Sequence, residues 1–263
     1  MELNTLIQPV IDISAKAAQG ILEIYNTRFN VEVKDDKTPL TEADMAAHDA
    51  IVAGLKKLTP EWPILSEESA TIPYSTRQKW HTYWLVDPLD GTREFIKRNG
   101  EFTVNIALIR DELPVLGVIY VPVSGVVYYA SKGMGAFRQS PGNAALPIHV
   151  KAARDQTLVI AGSRSHRDNS LDKFLDSIGD HEFISMGSSL KSCLVAEGSA
   201  DIYPRLGPTS EWDTAAAQCI VEEAGGRITT MDMSQLRYNT KESLLNPNFL
   251  VFGDASVDWS KLF

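Results

Sequence analysis

The stretch Tyr83-Trp84-Leu85-Val86-Asp87-Pro88-Leu89-Asp90-Gly91-Thr92 sets the tightest limits on how this chain can fold. Tyr83 to Val86 has the apolar and aromatic content of a buried strand. Pro88 cannot donate to a sheet ladder, so the strand is expected to end near Asp87. Asp87 and Asp90 then sit at a strand's carboxyl end. Gly91 permits a turn that a side chain would hinder, and the backbone N–H groups from Gly91 onward would be the unpaired donors of a short helix. Two acids so near an anion-docking turn would repel a phosphate unless cations lay between them, which suits a metal-bridged phosphate site. The plain alternative is an Asp-Gly turn with two solvated aspartates and a threonine cap.

Around that stretch the chain changes its grammar once. Apolar residues recur at helical spacing over residues 3–25 (Leu6, Val10, Ile13, Ala17, Ile21, Ile24), predicting a long amphipathic helix. Residues 34–40 read as polar loop. Thr41-Glu42-Ala43-Asp44 opens a second helix to about Leu58, with Thr41 as N-cap and Asp44 at the capping-box position, where an acid also suits the helix dipole. Trp62 to Leu65 reads as a short strand running into Glu67-Glu68, a pair that in isolation is usually a solvated edge. Residues 102–109, 115–121 and 125–130 read as strands, and Gly133, Gly135 and Phe137 continue the meander. From Thr157 strands (158–161, 182–185, 201–203) alternate with helices (170–178, 188–197, 213–223), which favours an α/β layer. The expected organisation is therefore an N-terminal α+β half, residues 1–150, and a C-terminal α/β half, residues 151–263, joined by the loop from Ser140 to about Arg154.

Net charge narrows the partners. With 25 basic against 34 acidic residues the formal charge is −9, which argues against nonspecific grip on a nucleic acid polymer or an anionic membrane, and an anionic substrate must be met by local cations. No stretch approaches the ~20 apolar residues that span a bilayer, and Met1-Glu2-Leu3-Asn4 does not begin a secretory signal. The two cysteines, Cys193 and Cys219, lie far apart in apolar helical patterns and read as reduced core residues. A cytoplasmic location is expected, with contact at the inner face of the cytoplasmic membrane left open, as is the oligomeric state.

A third acidic motif, Glu211-Trp212-Asp213-Thr214-Ala215-Ala216, is locally explained by Asp213 as a helix N-cap, with Gly225-Gly226 closing that helix. Local structure does not explain the set: a glutamate after one strand, two aspartates after another, an aspartate at a helix start. Hard divalent cations take oxygen ligands of this kind, and Mg²⁺ is commonly held by a few carboxylates together with substrate phosphate and water. Such ions can bind phosphoryl oxygens, activate water and stabilise a leaving oxygen.

Glu67-Glu68, the Asp87-Pro88-Leu89-Asp90-Gly91-Thr92 run and Trp212-Asp213-Thr214-Ala215-Ala216 followed by Glu223-Ala224-Gly225-Gly226 together resemble the inositol monophosphatase superfamily of Mg²⁺-dependent, lithium-sensitive phosphatases. The match covers nearly the whole chain in order and spacing. Within the superfamily it is most similar to the bacterial 3'(2'),5'-bisphosphate nucleotidases, through Trp84 to Val104, Gly187-Ser188-Ser189-Leu190-Lys191 and Tyr203-Pro204-Arg205. Ala217 departs from the glycine of many members. The resemblance implies a layered α/β/α/β/α sandwich with the site in the cleft between the halves. It implies two or three Mg²⁺ ions held by Glu67, Asp87, Asp90, Asp213 and the carbonyl of Leu89. Thr92 and Asp44 would orient and deprotonate the nucleophile, Glu68 would support, and the Gly91 and Thr92 amides would hold the scissile phosphate.

By the same resemblance His166, Ser188, Lys191 and Arg205 contact the nucleotide and its 5'-phosphate. The implied reaction is hydrolysis of the 3'-phosphate of adenosine 3',5'-bisphosphate by metal-activated water, giving AMP and phosphate. The 3'-phosphorylated sulfate donor would also be accepted, which links the chain to sulfur assimilation. Each contact has a plainer alternative: Lys191 as a solvated helix residue, His166 bonding a loop carbonyl, Arg205 paired with Asp201. Two other readings stand beside this one. An inositol or sugar phosphate monophosphatase would share every metal residue, and a non-catalytic phosphate-ligand sensor would have lost a carboxylate or the threonine, none of which is missing.

Overall fold

The computed structural model describes residues 2–26, 31–33, 39–69, 71–152, 157–164 and 169–259. In chain order the first half comprises α1 (Asn4–Tyr25), β1 (Val31–Val33), β2 (Pro39–Thr41), α2 (Glu42–Leu58), β3 (Ile64–Ser66), α3 (Tyr74–Arg77), β4 (Thr82–Asp90) and α4 (Thr92–Lys97). It continues through β5 (Thr103–Arg110), β6 (Leu113–Tyr120), β7 (Val127–Ser131), β8 (Gly135–Gln139) and β9 (Leu146–Ile148). The remainder is β10 (Leu158–Ser163), α5 (Asn169–Ile178), β11 (His181–Met186), α6 (Leu190–Ala196), β12 (Ile202–Arg205), α7 (Glu211–Glu223), β13 (Arg227–Thr230) and β14 (Phe249–Phe252). Of the polar loop expected at 34–40, residues 34–38 lie outside the described residues, as does the side chain of Thr41.

These elements stack in five layers, the α/β/α/β/α sandwich. Helices α1 and α2 cover one face of a seven-stranded sheet, β3 to β9 in order, and α6 with α7 cover the other. A five-stranded sheet, ordered β11-β10-β12-β14-β13, packs on the far side of α6 and α7, and α5 covers its outer face. Strand alternation builds these layers. On β4, Trp84 and Val86 face the α1–α2 core while Tyr83 and Leu85 face the middle helices. On β14, Phe249 and Val251 face the middle and Leu250 and Phe252 face α5. Helix α7 lies unusually close to β6, because a side chain at Gly117 would fall 2.3 Å from the carbonyl oxygen of Ala216. Buried Ala215, Ala216 and Ala217 make that approach possible. Among the described residues no helix is long and apolar enough to cross a membrane.

Several expectations are corrected. The meander is antiparallel except at its edge, where β3 pairs parallel with β4. The supposed joining loop contains β9, which closes the sheet against β8. The second half is mixed: β10 runs parallel to β11 and β12, but β13 and β14, unread in the sequence, add antiparallel. Strand β4 also does not stop at Asp87; it runs through Pro88 to Asp90 across a register shift.

Candidate functional site

That register shift is what assembles the acidic cluster. Side chains alternate along a strand, so Asp87 and Asp90, three apart, would normally point to opposite faces. On β5 the partner of Asp87 is Asn105 and that of Asp90 is Thr103, so three steps on β4 oppose two on β5. The extra residue is a β-bulge, which tolerates Pro88 and flips the faces beyond it. Leu89 accordingly turns into the α1–α2 core, and Asp90 joins Asp87 on the face that meets α7. Gly91, at φ 94°, then turns the chain into α4, a left-handed conformation that a side chain would strain.

Asp213 comes from the opposite direction. It is not the N-cap: Ser210 holds that position, and Asp213 sits three residues later with Oδ2 accepting from the Ser210 N–H at 2.8 Å. Carboxylate oxygens of Asp87, Asp90 and Asp213 lie within 4.8 Å of one another. Glu67, in the turn after β3, lines the same cavity with Leu89, Gly91 and Thr92. Asp44, on the first turn of α2, does not line it but is buried, and its charge reaches Asp87. Burial first, then the charges of Glu67, Asp90, Asp213 and Asp44, push the Asp87 carboxyl well above its ordinary range. Burial and Asp90 raise that of Asp213 to about 7. Acidic oxygen donors crowded to the point of holding protons fit a hard divalent cation, which would replace those protons and cancel the repulsion.

The facing wall is cationic. Lys191, on α6, is 5% exposed. Its Nζ donates to the Ser188 carbonyl and lies 5.3 Å from the Tyr203 ring centroid, and burial brings its pKa down to about 8. Arg205, at the end of β12, donates from Nη2 to the Pro208 carbonyl at 2.9 Å, while its buried Nε has no protein partner. The plainer alternatives for both fail here. Lys191 is not solvated, and Asp201 is held instead by Lys151 at 3.0 Å and the Val159 N–H at 2.7 Å. Ser188 lines the cavity too, but not as a helix residue one turn from Lys191: α6 begins at Leu190 and Ser188 sits in a left-handed turn at φ 54°. His166 lies outside the described residues.

Acids and cations thus line one cavity. Residues 2–253 match the inositol monophosphatase family. This chain belongs to that family. The 3'(2'),5'-bisphosphate nucleotidase CysQ of Salmonella typhimurium is 49% identical, over 94% of this chain and 99% of that protein. The protein of the same name from Aggregatibacter actinomycetemcomitans is 42% identical, over 98% and 96%. Among solved structures, CysQ from Bacteroides thetaiotaomicron, described as a bacterial member of the inositol monophosphatase family, is 42% identical with a TM-score of 0.82, covering 95% of this chain and 98% of that one. SuhB of Bartonella henselae shares the fold at 26% identity and a TM-score of 0.79, covering 95% and 94%.

Sequence reasoning passed over several residues at this family site. Ser163, Ser189, Tyr203, Thr209 and Phe249 line the cavity, and Thr103 and Asn105 stand behind Asp90. A signal for the last two was present: they are polar residues on one alternation of an otherwise apolar strand, 103–109. Phe249 belongs to a strand that was not recognised at all.

Proposed function

We propose that this chain hydrolyses the 3'-phosphate of adenosine 3',5'-bisphosphate, giving AMP and phosphate, and accepts 3'-phosphoadenylyl sulfate in the same way. The observation that carries the reading is the pairing of two unlike walls in one cavity. An acid cluster serves one phosphoryl group, and a buried lysine with an arginine provides for a second anion that the catalytic metals do not reach. The names of the CysQ relatives, at 42–49% identity, point to the same substrate class.

Glu67, Asp87, Asp90, Asp213 and the carbonyl of Leu89 would hold two or three Mg²⁺ ions. When bound, these supply Lewis-acid neutralisation of the phosphoryl oxygens and make water a stronger acid. The chain's own groups do the rest. Thr92, by its hydroxyl, would orient the attacking water and relay its proton toward the carboxylate of Asp44, which is buried outside the cavity. Gly91 and Thr92, at the first turn of α4, would hold the scissile phosphate by their amides. Lys191 and Arg205, with Ser188 and His166, would place the 5'-phosphate and ribose so that only the 3'-ester lies over the acids. The bond from phosphorus to the 3'-oxygen breaks as water oxygen bonds to phosphorus, and no covalent enzyme intermediate is needed.

The division at residue 150 belongs to the same proposal, the first half carrying most metal ligands and the second Asp213 and the nucleotide contacts. So does a cytoplasmic location; attachment to the membrane's inner face does not. A substrate panel with and without Mg²⁺ tests the reading. Preference for the bisphosphate nucleotide over inositol 1-phosphate, abolished by EDTA, is expected; preference for the inositol ester would overturn the substrate.

A further inference from the structure

Asp90 is gripped in a way that neither its role as a ligand nor its burial explains. Its Oδ2 accepts from Ser188 Oγ at 2.6 Å, from the Ser189 N–H at 2.7 Å, from Ser189 Oγ at 2.7 Å and from Asn105 Nδ2 at 3.3 Å. Asp90 is half-buried, and a carboxylate so placed needs donors to offset its desolvation, for which spreading them over both oxygens would serve best. Here four converge on one oxygen, more than its lone-pair sites accommodate, which leaves the other for a cation. The donors are themselves fixed. Asn105 Nδ2 also donates to Ser189 Oγ at 2.9 Å, and Thr103 Oγ1 donates to Asn105 Oδ1 at 2.8 Å. Thr103 Oγ1 also lies 2.7 Å from Ser188 Oγ, and Ser189 Oγ lies 2.9 Å from the Asp213 carbonyl oxygen.

The register of β4 on β5 accounts for half of this arrangement. Asn105 and Thr103 are the cross-strand partners of Asp87 and Asp90, so the bulge delivers Asp90 directly over them. The other half comes from across the cleft. The positive φ of Ser188 turns its hydroxyl and the following N–H toward the same oxygen, and the Ser188 carbonyl holds Lys191. One turn therefore touches both the acid wall and the cationic wall.

We infer that Ser189 and Asn105 are positioning residues for Asp90: they saturate Oδ2 and present the remaining oxygen to the divalent cation, thereby setting the enzyme's metal affinity. The inference rests on the metal-dependent reading above and adds to it two residues to which that reading assigns neither a metal nor a substrate contact. Partners of this kind typically change metal affinity by about 10- to 100-fold. Removing them should act on metal binding and leave the substrate subsite alone.

The test is calorimetric titration of Mn²⁺ and Mg²⁺ into the substrate-free protein, in parent, Ser189→Ala and Asn105→Ala, alongside thermal unfolding in EDTA. The expected result is a Kd for the metal raised about tenfold or more in each variant. The matching kinetic signature is a higher Mg²⁺ requirement, with the KM for the bisphosphate at saturating Mg²⁺ within about threefold of the parent. Should one variant fail to fold, the other carries the measurement, and Asn105→Ser, which can still offer a hydroxyl, should recover part of the affinity. Metal affinities within twofold of the parent in both variants would overturn the inference, as would a rise in nucleotide KM with metal affinity unchanged. A parent that binds no divalent cation would instead refute the metal-dependent reading itself.

Discussion

The two walls of the cavity bury charge to a similar depth and solve the problem differently. On the acidic wall Asp87 is 1% exposed and faces other carboxylates, so its charge is opposed rather than compensated. On the cationic wall Lys191, at 5% exposure, has a backbone carbonyl and an aromatic face, and Arg205 has a carbonyl and one unpartnered nitrogen. Uncompensated buried charge normally neutralises itself by a pKa shift, and both walls do so in opposite senses. The lesson is one of division of labour. On the proposed function the acidic wall would be unfavourable until cations enter it, whereas the cationic wall would be tolerable empty and would select among anions.

The largest effect that would separate the walls is on turnover. Asp90→Asn or Asp213→Asn should lower kcat/KM by about 10³-fold or more, equivalent to about 4 kcal/mol of barrier. The same variants should melt no lower than the parent in EDTA, because each removes a repelling charge. A variant that keeps near-parental hydrolysis would show that the acids are not the working wall.

Next in size is specificity. Lys191→Ala with Arg205→Ala should cost at least about 10²-fold in kcat/KM for the bisphosphate nucleotide, the lower end of what two charge-assisted hydrogen bonds of about 1.5–3 kcal/mol each would give. Hydrolysis of inositol 1-phosphate should change little. Equal losses on both substrates would mean that the two walls are not functionally distinct.

Smaller, and opposite in sign between the walls, is the response to pH. Asp213, with its pKa raised to about 7, must release a proton to bind a cation, so Mg²⁺ affinity should fall as pH drops below about 7. In the metal-free protein the shift is upward: the unfolded carboxyl ionises near its ordinary value while the folded one keeps its proton longer. This cluster's contribution to stability is therefore fully present at low pH and lost as pH rises through the interval up to about 7. The increase in Tm produced by Mg²⁺ should grow from pH 5 to 8. For Lys191 the folded pKa is depressed to about 8, so the cationic form is lost above that pH and the bisphosphate KM should rise there. Thermal scans and pH–KM profiles separate the two.

The mildest test is competition for the cation site. Lithium in the millimolar range, about the level expected for a weakly held ion, should reduce activity, and extra Mg²⁺ should shift that response. Full activity throughout would contradict the lithium sensitivity that the resemblance implies.

Much of the architecture was legible because it depends on short-range periodicity. The apolar face of α1 is buried at Leu6, Val10, Ala17 and Ile21, as its spacing predicts. Strands β13 and β14 were missed because each is only four residues long and no helix separates them, so the strand–helix alternation that marked the equally short β12 was absent. The N-cap of α7 was read three residues late: Ser210-Glu211-Trp212-Asp213 is a capping box, and the aspartate that looked like the cap is the residue reaching back to it. Of the acidic residues that line the cavity, Glu67, Asp87, Asp90 and Asp213 were readable as candidates and Glu94 was not; their arrangement was not readable at all.

Residue order alone specified which groups were available: acids after strands and at helix starts, a glycine that can take a positive φ, and a proline that must interrupt a ladder. It could not specify that Pro88 would sit inside a bulge rather than end a strand, because that outcome depends on β5 supplying Thr103 and Asn105 opposite Asp90 and Asp87. Nor could it specify that Lys191 would be buried beside Tyr203, which follows from the second sheet closing over α6. Hydrogen-bond register between strands and close packing between layers are long-range properties, so the face on which a charge ends up is settled only when distant segments meet.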